Sequence, residues 1–399
     1  MKNSGVEWIG EIPEDWEALR LKYNYSTTKA KLPKQFFEDK SLTPYLSMDY
    51  IRDSENTEPV YAKDGDYCSE DDILVLWDGS NAGEIIFDHP SGFAPSTTAI
   101  LKKHSSSTLP NFDKFYLKAL EEDLRRNTNG MGIPHVNGSY LSNSLFLIPP
   151  KETQKKIASY LDSKCSKIEE TIHNQQQVIE KLKAYKQSLI TEAVTGKIKI
   201  QNGKACGKYK EYKDSGVEWI GEIPNGWEPI KAKYFIKISN GSDPKTSEGN
   251  TPVYGSGAES FKTCVEYKEG PTVLIGRKGA TLHIPHYIEG NYWNVDTAFD
   301  VKTYSEEKFL LRFYYYCATA FDYKFYLTST TLPSMTQTNY GNMYLPVPNI
   351  QTQKEVIEFL DKQCKNIDTA IEQKQKIIEK LTEYKKSLIY ECVTGKKVV

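Results

Sequence analysis

The side chains in this sequence equipped for metal binding, nucleophilic attack or proton transfer are few, and they do not gather. The 6 histidines include His283 and His286, which could hold a metal only if carboxylates converged on them. The 7 cysteines are scattered, odd in number and without a C-x-x-C pair, so structural zinc and a disulfide framework both lose their usual support. Glu70-Asp71-Asp72 is a charge run ahead of an apolar stretch, the pattern of a solvated turn. There is no G-x-x-x-x-G-K-[ST] phosphate loop, no G-x-S-x-G elbow, no H-E-x-x-H helix and no Asn-Pro-Pro-aromatic motif. No catalytic residue and no metal site is therefore expected. What remains is hydrogen-bonding chemistry on glycine-marked turns. Arg277-Lys278-Gly279 carries two cations, Asp78-Gly79-Ser80-Asn81 carries an acid and an amide, and residues 127–137 and 334–339 are polar and amide-rich.

The elements that must position these turns are written twice. SGVEWIGEIP at residues 4–13 recurs unchanged at 215–224, and Trp16 and Trp227 follow at the same spacing, an offset of 211. Residues 153–197 match 352–396 at an offset of 199, so the variable stretch between the matching blocks is 12 residues shorter in the second copy. The later blocks carry a heptad seam. Leu161, Cys165, Ile168, Ile172, Ile179, Leu182 and Leu189 fall on alternating steps of four and three, as do Leu360, Cys364, Ile367, Ile371, Ile378, Leu381 and Leu388. Polar Gln175, Lys186, Lys374 and Lys385 also stand on the seam and could fix its register. The seam cysteines read as small packing residues. Each predicted helix starts after a proline stop, IPPKETQ or VPNIQTQ, and ends at Gly196 or Gly395.

Two such helices in one chain can pair with each other, most simply antiparallel, with the variable domains at opposite ends of a rod. The variable halves read as mixed α/β. A strand over residues 72–77 enters one turn and its counterpart over 272–275 enters the other, while 112–126 and 306–326 read as amphipathic helices. The fold class is therefore α+β, a pseudo-two-fold repeat. Domains at 1–150 and 215–348 are separated by helices at 151–197 and 349–399, with a linker at 198–214.

The charge of −2, from 51 basic and 53 acidic side chains, excludes a polycation. Residues 1–150 carry 15 basic and 23 acidic groups (net −8), and 215–348 carry 12 and 14 (net −2), so the excess positive charge lies on the helices and linker. No apolar run approaches membrane-spanning or signal-peptide length, and mean hydropathy is −0.57. A cytoplasmic location without membrane contact is the expectation.

The duplicated SGVEWIGEIP…W, the stretches GIPHVNGSYLSNSLFLIPP and LPSMTQTNYGNMYLPVPNIQTQ, and the helix ends LITEAVTGK and LIYECVTGK together resemble the specificity subunits of type I restriction-modification systems. LIGRKGA followed by NYWNVDTAF is similar to that family's target-recognition domains. The resemblance spans nearly the whole chain. It implies a non-catalytic adaptor in which each variable domain reads half of a split double-stranded DNA target and the helices act as spacer. Two methyltransferase subunits would dock on it, bringing S-adenosylmethionine, and a motor nuclease would bring ATP and Mg. Base edges would be read by Arg or Lys at guanine and by Asn or Gln at adenine. The candidate contacts are Arg277, Lys278 and Gly279; Ser80 and Asn81; His135 and Asn137; Gln337, Thr338 and Asn339; and Arg125 and Arg126, which could equally serve only to end their helix. A two-headed coiled-coil adaptor for protein or glycan is the alternative, and a chain that methylates DNA by itself is a weaker one.

Overall fold

The computed structural model describes residues 1–130, 132–257, 259–326 and 333–399, with the side chains of Lys324 and Phe325 left aside. Its main sheets are built around the buried apolar strands Ile73–Leu76 and Thr272–Gly276. In the first copy β1 (Tyr25–Lys29), β2 (Ile73–Leu76), β3 (Ile85–Ile86) and β4 (Thr98–Lys103) lie antiparallel in the order β3-β2-β4-β1. In the second, β5 (Ile236–Asn240), β6 (Thr272–Gly276), β7 (His286–Ile288) and β8 (Ala298–Thr303) repeat it as β7-β6-β8-β5. Every residue of β2 and β6 is buried, which is why both read as unbroken apolar runs rather than alternating ones.

Register locates the length difference between the copies. Tyr25 opposite Lys103 corresponds to Ile236 opposite Thr303, so β1 and β5 keep the offset of 211. Val75 and Ile275 face equivalent partners, Ala99 and Phe299, at an offset of 200. Nearly all of the shortening therefore lies between the first two strands. The first copy there contributes to a five-stranded sheet, whereas the described residues of the second form a three-stranded one.

Besides a short helix at Met48–Arg52, the helices are α1 (Pro110–Arg126), α2 (Gly138–Asn143), α3 (Lys151–Val194), α4 (Leu311–Ala320), α5 (Gln337–Asn342) and α6 (Ile350–Val393). The helix expected over 306–326 is shorter at both ends. The Glu306 carboxylate accepts the Leu311 N–H at 3.3 Å, so Glu306 caps the helix instead of joining it. Phe321 leaves the helical conformation (φ −58°, ψ 137°), and a 3₁₀ turn follows at Tyr323–Tyr326.

By contacts the chain forms two compact units, Met1–Asn174 with Ile377–Val399, and Gln175–Lys376. This differs from the sequence segments 151–197 and 349–399, because each long helix is shared between the units. In the first unit Leu161, Cys165 and Ile168 from the start of α3 pack with Leu388, Ile389 and Cys392 from the end of α6. In the second, Leu189, Ile190 and Ala193 from the end of α3 pack with Leu360, Cys364 and Ile367 from the start of α6. The pairing is antiparallel in each. Ile179 and Ile378 are buried, and Ile172, Leu182, Ile371 and Leu381 half-buried, as the seam demands. The polar seam residues are paired: Lys374 donates to Gln175 at 3.0 Å, Lys186 to Asp368 at 2.7 Å, and Lys385 to Glu169. No helix among the described residues is long and apolar enough to cross a membrane.

Two repeated devices fasten helix to domain. Gln154 is fully buried; its Oε1 accepts the Leu109 N–H at 2.8 Å and its Nε2 donates to Pro149 and Ser107 carbonyls at 2.7 and 3.2 Å. Gln353 repeats this with Leu310, Pro348 and Lys308 at 2.9, 3.1 and 3.4 Å. At the other end, Gly196 and Gly395 adopt φ of +73° and +74°. A Cβ on Gly196 would lie 2.6 Å from the Pro224 ring, and one on Gly395 would run into Pro13. The repeated WIGEIP is thus a docking pad for helix ends, with Trp16 and Trp227 buried beside those glycines.

Candidate nucleic-acid interface

The turns and the amide-rich loops, separate in sequence, are joined by the fold. In the second unit the turn after β6 receives the loop before α5: Gly279 N–H donates to Pro333 O at 3.0 Å, Met335 N–H to Arg277 O at 2.8 Å, and Lys278 bridges to Ser334. In the first unit the turn after β2 receives the loop before α2 in the same way. Gly79 N–H donates to Pro134 O at 3.0 Å, Val136 N–H to Trp77 O at 2.9 Å, and Asp78 bridges to His135. Trp77 thus corresponds to Arg277, Asp78 to Lys278 and Gly79 to Gly279. Met131 in the first loop, and Leu332 at the head of LPSMTQTNYGNMYLPVPNIQTQ, lie outside the described residues.

The side chains on these faces differ. Arg277 is exposed, with Nη1 donating to the Asp296 carbonyl at 3.3 Å, and Lys278 pairs with the Asp296 carboxylate at 3.0 Å. Gln337, the first residue of α5, donates to Asn240 Oδ1 at 3.0 Å; Thr338 is exposed; Asn339 donates its side-chain amide to Tyr326 O at 3.0 Å. In the first unit Ser80 and Asn81 are exposed on the turn. Asn137 is the N-cap of α2, its Oδ1 accepting the Tyr140 N–H at 3.0 Å. His135 Nδ1 bonds Asp78 Oδ1 at 2.6 Å, while Lys29 Nζ bonds Asp78 Oδ2 at 2.5 Å. Burial raises the Asp78 carboxyl, but the Lys29 and His135 hydrogen bonds outweigh it and hold it below its ordinary value.

Arg125 and Arg126 occupy the last turn of α1, where cations favour the helix C-terminus. Arg125 stands beside the first turn, since a Cβ on Gly83 would lie 3.1 Å from its Cγ. Arg126 pairs with Glu122. Both line a groove of about 730 Å³ together with Lys385 and Lys386 of α6. Sequence reasoning missed Lys29, Asn240 and Asp296. Only Asp296 carried a signal, as the acid of NYWNVDTAF; Lys29 and Asn240 reach the site through strand register alone.

The sequence matches the type I restriction modification DNA specificity domain over residues 13–184 and again over 224–383. It is 29% identical to the Type I restriction enzyme MjaVIII specificity subunit of Methanocaldococcus jannaschii, across 96% of this chain and 93% of that one. It is 30% identical to the Type I restriction enzyme EcoBI specificity subunit of Escherichia coli over 83 residues, 21% of this chain and 17% of that one. A solved chain described as the structural basis underlying complex assembly and conformational transition of the type I R-M system shares the fold, with a TM-score of 0.70 at 13% identity over 97% of this chain and 100% of that one. With both repeats covered, the chain belongs to the type I restriction modification DNA specificity family.

Proposed function

We propose that this chain is the specificity subunit of a type I restriction-modification complex, each variable domain reading one half of a bipartite duplex target. The observation that carries the reading is the repeated face in which a glycine turn and a polar loop meet at the end of a buried strand. A partly closed turn with exposed donors can enter a groove and meet base edges, which a flat acidic surface cannot. Family membership disfavours the protein- or glycan-binding adaptor.

The helices, 44 residues each and so about 66 Å long, would set the spacing of the half-sites. Two methyltransferase subunits would dock on the two-fold repeat, since like surfaces suit two copies of one partner. S-adenosylmethionine, ATP and Mg would belong to the methyltransferase and motor nuclease subunits, because this sequence has neither a phosphate loop nor a methyl-transfer motif. The test is to express the chain with its neighbouring methyltransferase in a methylation-free host and map modified bases. A split motif with a fixed gap is expected. Methylation that ignores the presence of this chain would refute the assignment.

A further inference from the structure

The second unit offers cations on its turn, and the first offers none there: Trp77 and Asp78 stand where Arg277 and Lys278 do. The fold supplies one from elsewhere. Lys29 ends β1 opposite Ala99, and its equivalent in the second unit is Asn240 opposite Phe299. From that strand end Lys29 Nζ reaches Asp78 Oδ2 at 2.5 Å and lies 5.9 Å from the centre of the Trp77 ring. His135 holds the other carboxylate oxygen at 2.6 Å. A Cβ on Gly79 would meet nothing within 4 Å, so the space over the turn is open.

Building on the function proposed above, we infer that Lys29 is the specificity-determining cation of the first recognition domain and donates to a guanine edge, with Asp78 and His135 as positioning residues. An ammonium has three donors, and Asp78 takes one. The remaining two match the O6 and N7 acceptors that guanine presents in the major groove. Asp78, with Lys29 on one oxygen and His135 on the other, is placed to aim the lysine. The Trp77 ring, with the ammonium 5.9 Å from its centre, adds a cation–π attraction on the same side. The two domains thus place a cation at equivalent points by different routes, one from the turn and one from the neighbouring strand.

The full complex, with the chain either wild type or carrying Lys29→Ala, Lys29→Gln or Lys29→Arg, is used to map methylated sites genome-wide. The expected result is that one fixed guanine in one half-site becomes degenerate with Lys29→Ala, discrimination there falling roughly tenfold or more. Lys29→Gln should shift the preference towards adenine, and Lys29→Arg should keep guanine. The other half-site and the gap should not change. An unaltered motif with Lys29→Ala, or altered bases in both half-sites, overturns the assignment while leaving the function standing. Loss of all methylation by both Lys29→Ala and Lys29→Gln also overturns it, because a purely structural ion pair would behave so. If the wild-type complex yields no bipartite motif, the function itself falls and this assignment with it.

Discussion

Replacing Gln154 by Met tests how the long helices are tied to their domains. Met preserves volume and flexibility, so the site does not collapse into a cavity. It removes three hydrogen bonds, leaving the Leu109 N–H without its side-chain acceptor and the Pro149 and Ser107 carbonyls without this donor. The orphaned N–H lies at the N-cap of α1, beside a fully buried side chain. A fully buried group left unpaired costs about 1–3 kcal/mol, and since only the Pro149 bond is fully buried while the other two are part-buried, the sum is roughly 2–4 kcal/mol. For a unit of this size each kcal/mol lowers Tm by about 2–4 °C, so a fall of at least about 4 °C is expected. Calorimetry of the whole chain reads it as a downward shift of one transition. Gln353→Met should shift the other, by somewhat less because its bonds are longer, at 2.9, 3.1 and 3.4 Å. A change below about 1 kcal/mol for both variants would show that water or relaxation satisfies these groups, and that the glutamines are not fasteners.

Other consequences can be checked separately. Arg277→Ala should relax one position of the half-site opposite to that affected by Lys29, a discrimination loss of about 1–3 kcal/mol, and an unchanged motif would remove Arg277 from the interface. Lys103 pairs with Asp113, which is fully buried and also accepts from Tyr25 Oη at 2.5 Å; burial raises the Asp113 carboxyl above its ordinary value of 3.8 although these donors pull it down. A raised carboxyl favours the fold below 3.8 and loses that contribution as pH climbs through its folded value. Lys103→Met, costing about 3–5 kcal/mol at neutral pH, should therefore show a smaller deficit in urea unfolding at acid pH; a deficit independent of pH would contradict this. Finally, DNA binding by the isolated chain should be weak with a shallow dependence on log salt and steepen in the complex, since the variable domains carry net charges of −8 and −2. Equal slopes would mean this chain supplies the phosphate contacts itself.

The repeat, the seam and the helix ends were legible because identity between two distant segments needs no structural knowledge. The glutamine of each IPPKETQ-like start was visible as a repeated letter, but its role required seeing that Leu109 and Leu310 come to it from 45 and 43 residues away. The over-long helix at 306–326 has a simple cause. Phe321 and Tyr323 are buried after the helix has ended, so the apolar pattern runs on while the hydrogen-bond ladder does not. The joining of turn and loop was not legible. Turn and loop composition drew attention to both segments separately, but their meeting depends on the backbone bonds from Gly79 to Pro134 and from Val136 to Trp77, across 55 and 59 residues. Lys29 had no local signal at all, because its neighbour is chosen by strand order.

On the proposed function, the acidic domains and the cationic readers would be parts of one arrangement. Lys29 is paired with Asp78 and Lys278 with Asp296, so in both units a cation at the turn is largely neutralised by a carboxylate. Neutralisation weakens attraction to any phosphate, which carries no sequence information, but it leaves the remaining N–H donors pointed and available. Holding the cation also reduces the side-chain entropy lost when it meets a base. A reader built this way gains little from non-specific DNA and discriminates mainly once it is held in a groove. Such a reader would leave the burden of affinity to partner subunits and the choice of sequence to this chain, so an acidic recognition domain need not be a poor reader.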